Sequence, residues 1–79
     1  MKILKTILFC DNGINKIILK ADKRGYILEQ YVFETFFNFK DMQEHTEFVE
    51  YGAYCSTHIE DVQHEIKHMT KNSITILTK

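Results

Sequence analysis

The stretch HIEDVQHEIKH, residues 58–68, contains three of the four histidines in the chain. His64 and His68 are four residues apart, a spacing that places both rings on one side of a helix. Imidazole nitrogens bind zinc and related divalent ions, and the carboxylate of Asp61 could supply a third ligand. The pattern is therefore that of a small metal site, which could support metal-dependent catalysis.

These side chains would be positioned by an amphipathic helix that the sequence predicts over residues 57–71. Ser56 or Thr57 can cap its N-terminus, and Glu60 stands at the capping-box position for Thr57. The apolar positions recur at intervals of three and four residues, which forms one stripe that must face a core. This stripe consists of Ile59, Val62, Ile66 and Met69.

The geometry of this helix argues against a metal site. Asp61, His64 and His68 fall on the side opposite the apolar stripe. Cys55 and His58 form another pair at the helix entrance, on a different side. Because zinc needs four converging ligands, or three and a water in a cavity, we favour a solvated surface with no bound metal or other cofactor. A metal site at His64 and His68 is kept as an alternative.

Other catalytic patterns are weaker still. The three glycines are not grouped in a phosphate-binding loop. No group of Ser, Cys and His has a recognisable catalytic spacing. A chain of 79 residues also has little room for a substrate pocket. We therefore predict that the protein is not an enzyme.

Length limits the chain to one domain, residues 1–79, with a small core. Cys10 and Cys55 could form one bridge, but no secretory context supports it, so we expect both to be reduced. The apolar run after Lys5 is about five residues long, shorter than a signal peptide requires. No stretch approaches the roughly twenty apolar residues of a membrane span. We therefore expect a cytoplasmic protein that does not associate with membranes.

An antiparallel meander is predicted at the N-terminus. The segments ILKTILFC and INKIILKA flank Asn12 and Gly13, a pair that favours a two-residue hairpin turn. Both faces of this hairpin carry apolar side chains. A two-residue turn would place Leu8 opposite Ile17, Thr6 opposite Leu19 and Leu4 opposite Ala21.

A second tight turn is predicted at DKRG, opened by Asp22 and closed by Gly25. The third strand follows in YILEQYVFETF. It would place Glu29 and Glu34 near the lysines of the second strand.

Residues 35–55 are ambiguous. Asp41 with Glu44 three residues later is typical of a helix capping box, whereas EFVEYGAYC alternates as a strand does. We predict a turn or short helix at 40–46, a strand at 47–55 and a short strand in ITILT after the helix. The fold class is therefore α+β, a small antiparallel sheet (N-terminal β-meander plus C-terminal strand) with one amphipathic helix (about 57–71) packed on one face.

Charge and aromatic side chains are distributed unevenly. Residues 1–25 carry a net charge of +4 and residues 26–70 a net charge of −7. Nine of the ten aromatic residues lie between Tyr26 and Tyr54, in the acidic part of the chain. Since one helix covers one face of a sheet, a second apolar face would need another cover. Aromatic anchors with a polar rim are typical of protein interfaces.

We therefore predict a small non-enzymatic protein-binding module, an inhibitor or regulator of a larger basic protein. Homodimerisation is a second expectation. Nine lysines against one arginine indicate AT-rich codons, so a phage or mobile-element accessory protein acting on host nucleic-acid machinery fits the composition. The expected partner-binding residues are Glu44, Glu47, Glu50, Phe36, Phe37 and Tyr51.

Nucleic-acid binding is the main alternative. Lys16, Lys20, Lys23 and Arg24 on the N-terminal hairpin could contact phosphates, with Tyr26 stacking on a base. Four charges and one ring make a weak footprint, and the acidic remainder of the chain would repel phosphate.

Overall fold

The computed structural model describes residues 2–11, 13–71 and 73–78. Five strands form one antiparallel sheet in the order β4-β3-β2-β1-β5, and a helix follows β4 in the chain. The predicted α+β class, with a meander and a C-terminal strand, is confirmed. The elements are β1 Lys2–Cys10, β2 Ile14–Asp22, β3 Gly25–Asn38, β4 Gln43–Ser56, α1 Ile59–Thr70 and β5 Ile74–Thr78.

The register between β1 and β2 differs from the predicted one by one residue. Cys10 pairs with Ile14, so the connection has three residues, 11–13, where the sequence predicted two. The side-chain amide of Asn15 donates hydrogen bonds to the carbonyl oxygens of Asp11 and Gly13, at 3.0 and 3.2 Å, and so stabilises this longer connection.

The shift moves apolar side chains to the other face of the sheet, because side chains alternate along a strand. Ile7, not Leu8, lies opposite Ile17. The predicted pairs of Leu8, Thr6 and Leu4 are therefore wrong. Ile7 and Phe9 share a face with Ile17 and Leu19 and are buried with them.

The turn between β2 and β3 forms as predicted. Asp22 pairs with Gly25, and its Oδ1 accepts hydrogen bonds from the backbone N–H groups of Arg24 at 2.8 Å and Gly25 at 3.2 Å. Gly25 has a φ of 146°, a backbone conformation that residues with a side chain rarely adopt.

β3 and β4 form a long hairpin of 14 residues a strand, closed by a turn at 39–42. Asp41 does not begin a helix; its Oδ1 accepts a hydrogen bond from the backbone N–H of Gln43 at 3.1 Å. A turn is confirmed, but it ends at Met42 and not at residue 46, and the strand predicted at 47–55 begins at Gln43. The predicted helical alternative is wrong, because residues from Gln43 onward pair with β3.

The apolar stripe of α1 packs on the sheet as predicted. Val62 is fully buried, and Ile59, Ile66 and Met69 pack beside it. The buried apolar side chains among the described residues are Ile7, Phe9, Ile17, Leu19, Leu28 and Val62.

The N-terminus of α1 is not capped in the predicted way. His58 occupies the capping position and makes no side-chain capping hydrogen bond. Ser56 Oγ accepts a hydrogen bond from the His58 backbone N–H at 3.1 Å and donates one to Asp61 Oδ2 at 3.2 Å. Ser56, two residues before the capping residue His58, thus stabilises the start of α1.

Candidate protein-binding surface

One side of the sheet, which we call the open face, points away from α1. Along β1 to β4, its side chains alternate with those that point toward α1. None of the elements that the structure describes covers this side. In the body of the sheet the open face carries Thr6, Leu8, Cys10, Lys16, Ile18, Lys20, Ile27, Glu29, Tyr31, Glu50, Ala53 and Cys55.

The distal part of the β3–β4 hairpin extends past the sheet. The pairing of β2 with β3 ends at Asn15 and Val32, so residues 33–48 form a two-stranded ribbon with its turn. We call these residues the arm. Its four acidic side chains and one lysine give a net charge of −3, with His45 neutral.

Aromatic rings pair along the arm. Phe33 and Phe48, which lie opposite each other, have ring centroids 5.0 Å apart in an edge-to-face arrangement. Phe37 and Phe39 make a second edge-to-face pair, also at 5.0 Å. Such pairs contribute roughly 0.5–1.5 kcal/mol beyond simple burial. They stabilise a ribbon that would otherwise be marginal.

The tip of the arm nevertheless exposes large apolar groups. Phe39 is 80% exposed and Met42 is 66% exposed. Phe37 also remains exposed despite its contact with Phe39. A surface of this kind, bordered by carboxylates, has the composition of an interface that binds another protein.

The predicted partner-binding residues do not share one face. Phe37 and Glu44 are paired and lie on the same side as the open face. Phe36 and Glu47 lie on the other side of the arm, where the Phe36 ring stacks on His45 at 6.0 Å. Consecutive residues on a strand point in opposite directions, which explains why Phe36 and Phe37 are separated.

Glu50 and Tyr51 lie where the arm joins the sheet. Tyr31 pairs with Glu50 and Gln30 with Gly52, so Tyr51 is the extra residue of a β-bulge. Its hydroxyl accepts a hydrogen bond from Gln30 Nε2 at 3.1 Å. Glu50 lies on the open face, and Tyr51 is set apart from Phe36, Phe37 and the tip.

A charged network crosses the open face between β2 and β3. Lys20 Nζ lies 2.8 Å from Glu29 Oε1, which also accepts a 2.8 Å hydrogen bond from the Tyr31 hydroxyl. The hydrogen bond from Lys20, followed by that from Tyr31, lowers the pKa of Glu29. The same contact with Glu29 raises the pKa of Tyr31 to about 12.

Lys16 is also held on this face. Its Nζ lies 4.3 Å from the ring centroid of Phe48 and 5.0 Å from that of Tyr31. An ammonium at these distances is attracted to the negative face of a ring. Periodicity could have grouped these residues only with the β3–β4 register known, so the sequence analysis missed the Lys16–Phe48 contact.

Glu34 does not lie near the lysines of β2, so this part of the prediction is wrong. It is directly opposite Glu47 on the arm, beyond the end of β2 and its lysines. Glu29 and Glu34 are five residues apart, so alternation places them on opposite faces of β3. The prediction for Glu29 is confirmed by its contact with Lys20.

The residues proposed for nucleic-acid binding are divided by the fold. Lys16 and Lys20 lie on the open face, each with a partner there. Lys23 and Arg24 lie in the β2–β3 turn. The Tyr26 ring packs against the core on the helix side, where it cannot stack on a base bound at the open face.

The predicted metal ligands lie on the exposed side of α1. Asp61, His64 and His68 are all exposed, and Asp61 is hydrogen-bonded to Ser56. Within 2–11, 13–71 and 73–78, no three His, Cys, Asp or Glu residues are grouped closely enough to hold a metal ion. Cys10 and Cys55 are free and exposed.

Two of the cavities among the described residues lie away from the arm. One of about 430 Å³ lies beside the β2–β3 turn and is lined partly by Gly25, Tyr26 and Cys55. The other, of about 550 Å³, lies between β1 and α1 and includes Lys5 and His64. Neither coincides with the arm or with the network around Glu29.

The chain has no significant match to a protein-family model, a curated protein or a solved structure. Within its described residues, no helix combines the length and apolar character needed to cross a membrane. The function must therefore be inferred from the surfaces themselves.

Proposed function

We propose that the protein is a non-enzymatic binding module whose arm binds a larger, basic protein and thereby inhibits or regulates it. The observation that carries this proposal is the exposure of Phe37, Phe39 and Met42 on an acidic ribbon. These groups extend beyond the folded body of the sheet, where they contribute nothing to its core.

The chemistry of the arm determines the kind of partner. Burial of the apolar groups at the tip in a pocket would favour binding by about 25 cal/mol per Å² of buried apolar surface. Glu44 and Glu47 lie on opposite sides of the ribbon, so a cleft that receives the arm would meet carboxylates on both sides. A basic cleft satisfies this arrangement and would attract the arm over long range.

The composition of the chain and its free cysteines also fit a particular cellular context. A chain rich in lysine and isoleucine fits an AT-rich phage or mobile element, and free cysteines suit the reducing cytoplasm. Host nucleic-acid enzymes have basic clefts, because they bind phosphate. An acidic arm could occupy such a cleft without itself binding nucleic acid.

The proposal is tested by capturing the partner from host extract and then asking whether capture is lost when the tip of the arm is changed. The tagged protein is incubated with extract of its native host at low salt, and retained proteins are identified by mass spectrometry. A Phe37→Ser, Phe39→Ser double variant should lose the retained partner. A His64→Ala, His68→Ala double variant changes two exposed groups elsewhere and should retain it.

Three further outcomes decide the proposal. Binding of the purified partner should weaken as salt increases, because screening reduces attraction between exposed charges. Unchanged binding by the Phe37→Ser, Phe39→Ser double variant would show that the arm is not the binding surface. A shift of labelled DNA or RNA that is abolished by charge reversal at Lys16, Lys20 and Lys23 would establish the nucleic-acid alternative instead.

A further inference from the structure

The two edges of the arm differ in how they are protected against pairing. The β4 edge carries Glu44 and Glu47, and a bulge at Tyr51 follows where the arm joins the sheet. Charged side chains and bulges are features by which edge strands avoid pairing with another chain. Over residues 33–38 the β3 edge has neither a bulge nor a proline, and Glu34 is its one charged side chain. The β3 edge is therefore the less protected of the two.

This β3 edge is free because β2 is shorter than β3. Pairing of β2 with β3 ends at Asn15 and Val32, whereas β3 continues to Asn38. Among the described elements, none pairs with residues 33–38 on the side away from β4. We call the space beside these six residues the slot. Ile14, the first residue of β2, lies at one end of it, and the other end opens toward the tip of the arm. Its length, about 20 Å, is that of an ordinary strand.

Residues 33–38 are well suited to pair with another strand. Phenylalanine and threonine, which favour strands, occupy four of the six positions. Along a free edge, alternate backbone N–H and C=O groups point outward without a partner strand. An added segment would supply their hydrogen bonds. It would also convert the two-stranded arm, which is marginal alone, into a three-stranded sheet.

We propose that an extended segment of the basic partner enters the slot and pairs with residues 33–38 of β3, and that its side chains alternate between apolar and basic. This inference rests on the proposed function, because it specifies how the partner binds the arm. The tip of the arm would then enter a pocket beside the added strand.

The two sides of the slot determine the side chains of this segment. On the side of the open face, Phe33 and Phe37 are 40% and 44% exposed, so apolar side chains of an added strand would cover them. On the other side, Glu34 is exposed and lies directly opposite Glu47. Neither carboxylate belongs to an ion pair within the described part of the chain. A lysine or arginine beside Glu34 would offset the repulsion between the two.

Other occupants fit the slot less well. A second copy of the chain would bring another arm of net charge −3 beside the first, and like charges disfavour such a complex. Nucleic acid would bring phosphates toward Glu34, which is equally unfavourable. An extended segment of a basic protein has neither disadvantage.

The first test uses a synthetic eight-residue peptide in which valine and lysine alternate and both ends are blocked. At millimolar concentration it should slow hydrogen exchange several-fold at alternate backbone amides within residues 33–38, because those N–H groups face the slot. The outward amides of β4 should be unaffected. A peptide with glutamate in place of lysine should have no effect. Methylation of the backbone nitrogens of all valines, or of all lysines, removes the donors from one edge of the peptide, so one of these two peptides should lose binding.

Glu34→Lys and Glu47→Lys distinguish the two edges of the arm. Each converts the same pair of like charges into a pair of opposite charges, and the net charge changes equally. A strand in the slot would be next to Glu34 but two strand spacings, about 10 Å, from Glu47. Glu34→Lys should therefore weaken binding of the peptide, and of the captured partner, several-fold more than Glu47→Lys does.

These measurements separate strand addition from the proposed function. Absence of protection at 33–38, protection of β4 in its place, or equal effects of the two variants would overturn strand addition, even where capture of the partner still depends on Phe37 and Phe39. Protection at 33–38 with no partner captured from host extract would support strand addition and count against the proposed function. Protection that grows with protein concentration in the absence of peptide would assign the slot to a second copy and overturn the proposal.

Discussion

Lys20 and Glu29 form the closest ion pair between β2 and β3 in the described part of the chain, with 2.8 Å between Nζ and Oε1. Both side chains are less than one-third exposed. The pair lies within the open face and connects, through the Tyr31 hydroxyl, to the ring contacts of Lys16. This arrangement leads to the first two predictions.

Lys20→Met should raise the pKa of Glu29 toward its ordinary value, because it removes the largest cause of the lowered pKa. A carboxyl with a lowered folded-state pKa stabilises the fold above its unfolded pKa, and this contribution is lost as pH falls through the folded value. Wild type should therefore lose more stability than Lys20→Met on acidification. Carboxyl NMR titration and urea unfolding at several pH values measure the two effects. An unchanged Glu29 pKa would show that the pair does not form in solution.

Tyr31 should affect stability at the opposite end of the pH range. Its pKa is raised to about 12 from an ordinary value of 10.0, chiefly by donation to Glu29. The folded state thus holds the phenolic proton more tightly. The associated stability is present below pH 10 and is lost as pH rises toward 12. Tyr31→Phe should abolish this loss and remove the latest component of the tyrosinate absorbance titration; a titration indistinguishable from wild type would contradict the hydrogen bond.

Local sequence patterns correctly predicted the elements whose residue spacing is compatible with only one structure. The stripe from Ile59 to Met69 has one buried side, and the turn from Asp22 to Gly25 has a carboxylate that satisfies its own backbone groups. The β1–β2 register was not predictable in this way. Both faces of that hairpin are apolar, so patterning could not distinguish a connection of two residues from one of three.

The candidate surface was predictable as a region but not as a geometry. The concentration of aromatics and acids identified the segment that contains the arm. It could not separate Phe36 from Phe37, because their faces depend on continuous pairing of β3 with β4 through the turn at 39–42. The bulge at Tyr51 depends on the same long-range register, which nearby residues do not determine.

Val62 is the most deeply buried side chain of α1. It is fully buried against the sheet, so Val62→Ala should lower the free energy of unfolding by about 2 kcal/mol by leaving a cavity. Val62→Asp should unfold the protein, since it buries a charge without a partner. Gln63→Asp, one residue away on the exposed side, is the matched control and should melt within a few degrees of wild type. Equal melting of the two Asp variants would contradict the helix orientation.

Gly25 and Gly13 provide a test of packing at the strand ends. Both have positive φ, 146° and 122°, so an alanine is strained at either position. A Cβ on Gly25 would also lie 2.7 Å from the Ser56 carbonyl oxygen, whereas one on Gly13 would meet nothing within 4 Å. Gly25→Ala should therefore destabilise the fold more than Gly13→Ala, by about 1 kcal/mol or more. Chemical denaturation of the two variants measures the difference, and equal losses would show that β3 and β4 can separate at this end without cost.

Glu47 allows the stability of the arm to be separated from its binding. It lies directly opposite Glu34, and like charges in this position destabilise a strand pair. Glu47→Lys should convert the repulsion into an attraction and stabilise the arm by roughly 0.2–1 kcal/mol. The same change makes the arm less acidic, so affinity for a basic partner and its dependence on salt should both decrease. Glu60→Lys makes the same change in net charge on the exposed side of α1 and should leave binding through the arm nearly unchanged. Hydrogen exchange of the arm and salt-dependent binding of the captured partner are the two measurements. Greater protection together with weaker binding would show that Glu47 is retained for recognition at the expense of stability, whereas undiminished binding would exclude the acidic side of the arm from the interface.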